Sequence, residues 1–88
     1  MGKFVFEDDG WEHYRYWQTQ DRKTLNKINR LLQSIERDGV LGGEGKPEKL
    51  KNSDNYSRRI DDKNRLVYNM LSNGFVVVKS CKGHYEDK

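Results

Sequence analysis

Apolar residues recur along this chain with two periods, and the change from one to the other divides it. "KFVF", Lys3 to Phe6, reads as a short opening strand. Trp11, Tyr14 and Trp17 then return every three residues, which predicts one aromatic face on a short helix packed into a core. Asp9 followed by Glu12 resembles a capping arrangement at the start of that helix. A second helix is predicted from Asp21, because Leu25, Ile28, Leu32 and Ile35 keep the 3.6-residue period and Leu31 widens the stripe. Asp38-Gly39 would end it. After a loop from Gly39 to Asn55 the spacing shifts to two. "YSRRI", "RLVYNML" and "GFVVVKSC" read as strands, separated by Asp61 to Asn64 and by Ser72-Asn73-Gly74. The predicted class is α+β: two N-terminal helices on one face of a small, mostly antiparallel sheet, in the order β-α-α-β-β-β, as one domain over residues 1–88.

The last pair of strands permits a register prediction. With Asn73 and Gly74 as a two-residue turn, Leu71 faces Val76, Leu66 faces Cys81 and Arg65 faces Lys82. Alternation then puts Leu66, Tyr68, Met70, Val77 and Cys81 on the core face. Arg65, Lys82 and His84 fall on the other face, with Arg65 and His84 as diagonal neighbours roughly 7–8 Å apart at the backbone.

Charge adds a direction. Residues 1–40 hold seven basic and seven acidic side chains, whereas residues 41–88 hold ten and seven, so the whole excess of +3 lies in the second half. A local basic excess suits a polyanion, though a solvated face would look the same. Charged residues reach 35%, and ten aromatics compensate by supplying apolar area in few positions. Cys81 is the only cysteine, which excludes an internal disulfide. No apolar run is long enough to span a membrane, and the N-terminus lacks the pattern of a secretory signal, so a cytoplasmic protein is expected.

One segment has no structural rationale of this kind. "GGEGKPEKLK", Gly42 to Lys51, combines helix-breaking residues with three lysines and two glutamates, and its residues alone read as a charged surface loop. Together with "WEHYRYWQTQDR", "KINRLLQ", "YSRRIDDKNRLVY" and a terminal "HY", it resembles the YoeB/Txe branch of the RelE-type toxins of bacterial toxin–antitoxin pairs. The pieces occur in family order over nearly the whole chain. The resemblance implies a RelE-like fold and a ribosome-dependent endoribonuclease that cuts messenger RNA in the A site of the 70S ribosome, restrained by an antitoxin of the YefM/Axe type. The family's catalytic positions fall on Glu48, Arg65 and His84, and its RNA-contacting positions on Lys46, Lys51, Arg59 and Tyr85. Lys82 joins them from the strand register. Three features depart from the family: Lys49 in place of the usual proline, a shortened stretch between Lys51 and Ser57, and the tail Glu86-Asp87-Lys88.

Strand cleavage by the RNA 2′-OH needs a group to take its proton, an acid for the leaving 5′ oxygen and positive donors at the phosphate. Glu48 suits the first role, either as base or as an orienting group; His84 suits the second and Arg65 the third. No cofactor or metal is expected, since no side-chain cluster has ligand spacing. Two rival readings remain at this stage: a non-catalytic module that occupies RNA or a ribosomal site, and an antitoxin-binding domain that has lost nuclease activity. Family members can dimerise, and no seam in this sequence announces one.

Overall fold

The computed structural model describes residues 3–83. Its elements are β1 (Phe4–Phe6), α1 (Asp8–Gln20), α2 (Arg22–Asp38), β2 (Glu48–Lys49), β3 (Tyr56–Arg59), β4 (Arg65–Met70) and β5 (Val76–Ser80). The five strands lie in the order β1-β5-β4-β3-β2; β1 is parallel to β5 and every other pair is antiparallel. The expected α+β architecture holds, with one strand more than predicted. Among the described residues no helix is long and apolar enough to cross a membrane.

Helix α2 follows its sequence closely. Asp21 caps it, its carboxylate accepting from the Lys23 and Thr24 amides and from the Thr24 hydroxyl. The Leu-Ile stripe drives Ile28, Leu31, Leu32 and Ile35 into a core shared with Leu66, Tyr68, Val78 and Cys81. Helix α1 differs from expectation at its start. Asp9 is inside the helix, and Glu7 precedes it without a side-chain cap. The start is set by the sheet instead: the Glu7 amide donates to the Val78 carbonyl at 3.0 Å, so β1 runs straight into the helix. Asp8 and Asp9 then sit in the first turn, where the helix dipole favours negative charge. The aromatic stripe also divides. Trp17 is buried in the core, whereas Trp11 is half exposed and forms a surface cluster with Phe6 and Tyr14.

The β4–β5 hairpin corrects the predicted register. Its turn has three residues, Ser72 to Gly74, with Leu71 and Phe75 bonded across it and Gly74 at φ +89°. Met70 therefore pairs with Val76, not Leu71 with Val76. The shift turns Val76 and Val78 into the core and places Val77 opposite Asn69 on the other face. Met70 remains 40% exposed, and Val77, though buried, lies on the face away from the Val76–Val78 core, so neither packs under the helices as predicted. An irregularity between Val67 and Tyr68 restores the expected register by the Val67–Ser80 pair. Leu66 and Cys81 are both fully buried beyond it, as predicted.

Candidate functional site

Strand β2 lies within the segment expected to be loop, and it is what places Glu48. Leu50 is buried beyond it, and the Leu50 amide donates to the Asn55 carbonyl, closing a tight connection. Glu48 then pairs with Ser57, Ser57 with Val67, and Arg59 with Arg65. Because Leu66, Tyr68 and Ile60 face the helices, alternation sends Ser57, Arg59 and Arg65 to the opposite face, and Glu48 with them. Two strand spacings and two residues of rise separate the Glu48 and Arg65 Cα atoms, roughly 12 Å. Lys46, Glu48, Ser57, Arg59 and Arg65 together line a recess of about 170 Å³. The shortened stretch before Ser57 has not parted Glu48 from Arg65.

The β3–β4 turn holds the Arg65 side chain in this recess. Arg65 is half-buried, and its Nη1 donates to the carbonyls of Asp61, at 2.8 Å, and Asn64, at 3.2 Å. The turn carrying those carbonyls is itself ordered by Asp61, which accepts from the Lys63 amide and from the Asn64 amide and side chain. Burial opposes ionisation of Asp61, yet these hydrogen bonds and the Arg65 charge hold its carboxyl below the usual value. The Arg59 amide donates to the Gly45 carbonyl at 2.7 Å, fixing the loop just before Lys46.

That loop is anchored by a residue absent from the predicted site. Arg58 is fully buried. Its Nε donates to the Tyr68 hydroxyl, its Nη1 to the Ser34 hydroxyl and the Glu44 carbonyl, and its Nη2 to the Gly39 carbonyl. The Tyr68 hydroxyl donates in turn to the Val40 carbonyl, and the Glu44 amide to the Ser34 hydroxyl. Outside this cluster the Glu44 carboxylate joins Arg30 and Lys27. Gly45, at φ +92°, passes so near Leu31 and Arg58 that an added Cβ would lie 2.7 Å from Leu31 Cδ2. In the strand "YSRR" alternation puts Ser57 and Arg58 on opposite faces, and neither was among the expected site residues.

These carboxylates give the fold an acid limit. Hydrogen bonds from Arg30 and then Lys27 hold Glu44 below its usual value; one from Arg37, then one from Ser34, do the same for Asp38. A depressed folded pKa contributes stability above the unfolded value, here 4.5 for Glu and 3.8 for Asp, and the contribution is lost as pH falls through the folded value. The thermal midpoint should therefore decline as pH falls below about 4.5, and Glu44→Gln should flatten the upper part of that decline.

The remaining predicted residues lie elsewhere. Lys51 is exposed in the turn after β2 and does not line the recess. Lys82 does not share the Arg65 side as predicted: its Nζ lies 4.5 Å from the ring centroid of Tyr16 on α1. His84 and Tyr85 lie outside the described residues. A larger recess of about 470 Å³ runs between α2 and Ile60-Asp61. Its carboxylates, Asp21 and Asp61, are engaged by local amides, and its Lys27 and Arg30 by Glu44, which leaves it less suited to chemistry.

Comparison with known proteins agrees with this fold. The sequence profile of the YoeB-like toxins of bacterial type II toxin–antitoxin systems matches residues 6–85. The toxin YoeB of Streptomyces coelicolor is 45% identical over 85 residues, covering 94% of this chain and 99% of its own. Among solved structures, a chain of the heterotetrameric YoeB–YefM toxin–antitoxin complex of Staphylococcus aureus superposes with a TM-score of 0.88 at 46% identity, covering 97% of this chain and 99% of that one. The YoeB dimer of Staphylococcus aureus superposes with a TM-score of 0.88 at 45% identity, covering 96% of this chain and 98% of that one.

Proposed function

The chain belongs to the YoeB-like toxins of bacterial type II toxin–antitoxin systems, and from that footing we propose that it is an endoribonuclease cleaving messenger RNA in the ribosomal A site. The observation that carries the proposal is the recess on the helix-free face of the sheet, where Glu48 and three cations from separate segments face one another. A carboxylate amid fixed positive groups suits a phosphodiester: the cations receive the phosphate and the carboxylate is left for the sugar.

In this reading the RNA 2′-OH loses its proton to Glu48, or to a base that Glu48 orients, and attacks the adjacent phosphorus. The bond to the 5′ oxygen breaks, and His84 supplies the proton that this oxygen needs. The products are a 2′,3′-cyclic phosphate and a 5′-OH end. Arg65 and Arg59 donate to the non-bridging oxygens as charge builds there, and Lys46 holds a neighbouring phosphate. Lys51 would meet RNA further along, and Tyr85 would stack on an unpaired base. Lys82, resting on Tyr16, contributes at most to the distant field. Support for His84 comes from its neighbour: the Gly83 carbonyl accepts from the Arg65 amide at 3.0 Å. The partners that follow are messenger RNA, the ribosome and an antitoxin of the YefM type, with self-association as in the Staphylococcus aureus dimer.

The test is to map new 5′ ends of messenger in a translating extract, with and without ribosomes. The proposal expects ribosome-dependent ends bearing 5′-OH, which ligate only after phosphorylation. Absence of new ends with the wild-type chain would favour a module that binds without cutting.

A further inference from the structure

Beyond the end of β5 at Ser80, the chain has left the regular ladder but is not loosely held. Cys81 is fully buried, so its backbone groups need partners other than water. Helix α1 supplies both. His13 Nδ1 accepts from the Cys81 amide at 3.2 Å, and Trp17 Nε1 donates to the Cys81 carbonyl at 2.8 Å. One residue on, the Lys82 ammonium sits over Tyr16 of the same helix. From the opposite side the β3–β4 turn takes Gly83: its amide donates to Asn64 Oδ1 at 2.8 Å and its carbonyl accepts from the Arg65 amide.

Side chains from two elements, far apart in sequence, thus grip three consecutive residues. Buried backbone is ordinarily satisfied by a strand or helix partner. At Cys81 it is satisfied by an imidazole and an indole, and the exposed Gly83 amide beyond it is held by a carboxamide; each fixes a direction as well as a position. Both grips converge immediately before His84 and immediately beside Arg65.

We propose that His13, Trp17 and Asn64 are positioning residues for cleavage: by clamping Cys81 to Gly83 they set the path on which the chain reaches the phosphate bound at Arg65. This rests on the functional reading above, specifically on His84 as the acid. The clamp acts on rate more than on RNA affinity, because the groups proposed to receive phosphate, Lys46, Arg59 and Arg65, lie on the loop preceding β2, on β3 and on β4. Displacement of a reacting group by about 1 Å costs up to about 10²-fold in rate.

The test is single-turnover cleavage of messenger on programmed ribosomes, with the saturating rate and the half-saturating concentration measured separately. His13→Leu keeps bulk and removes the acceptor. His13→Asn returns an acceptor at the same branch position, and Asn64→Ala removes the grip on Gly83 from the exposed turn. The saturating rate should fall about tenfold or more in His13→Leu and Asn64→Ala, with half-saturation within about twofold of wild type, and His13→Asn should recover most of the loss. A loss that His13→Asn leaves unrelieved would assign His13 to packing and overturn its role. If His84→Gln abolishes cleavage while His13→Leu and Asn64→Ala cleave at the wild-type saturating rate, this inference fails and the assignment of His84 stands. If His84→Gln itself cleaves at the wild-type rate, the assignment of His84 fails first and the inference with it.

Discussion

Arg65→Ala is expected to slow messenger cleavage on the ribosome by about 10²–10³-fold, the usual consequence of removing one preorganised donor to developing charge. Glu48→Gln and His84→Gln should each cost about 10²–10⁴-fold, the range for a group that moves a proton in the transition state. The Arg65 Nη1 is already tied to two carbonyls of the β3–β4 turn, so the planar guanidinium is oriented before RNA arrives. Arg65→Lys keeps the charge but loses the fork, and should recover only part of the rate. Growth arrest in cells should be relieved by all three losses while antitoxin binding stays nearly intact, which separates lost chemistry from lost folding. Cleavage by these variants at wild-type rates would show that the assigned chemistry is wrong.

The second large effect concerns stability and falls on the adjacent residue of β3. Arg58→Met should destabilise the protein by about 3 kcal/mol, because a methionine leaves the Gly39 and Glu44 carbonyls and the Tyr68 hydroxyl without their charged donor. Replacing buried ionic groups with apolar ones is often harmless when both partners go; here the acceptors stay. In a domain of this size that loss lowers the thermal midpoint by about 12–24 °C. The same change at Arg59, which is exposed on the other face, should leave stability within about 0.5 kcal/mol and weaken cleavage instead. Thermal unfolding at pH 7 beside ribosomal cleavage assays tests the pair. Equal midpoints for Arg58→Met and Arg59→Met would refute the anchoring role.

This pair shows where reading the chain succeeds and where it stops. The stripe from Leu25 to Ile35, the cap at Asp21 and the strands from Tyr56 onward were legible because a helix or strand repeats its side-chain directions over a few residues. The likeness of "GEGKPEKLK" to toxin sequences marked Glu48, and "YSRRI" was legible as a strand. Neither pattern said which arginine would be buried, or that a two-residue strand would carry the glutamate to Ser57.

Local periodicity sorts residues into faces, and in this chain it sorted most of them before any coordinates were needed. Which face is core, and which distant residues meet on it, depended on long-range events with no local signature. A three-residue turn at Gly74 shifted the hairpin by one, and an irregularity before Tyr68 shifted it back. Arg58 drew the 39–45 loop onto the sheet, and α1 took hold of Cys81. Such contacts are chosen by the summed burial and hydrogen bonding of the whole domain, and a one-residue change of register exchanges the two faces of a strand.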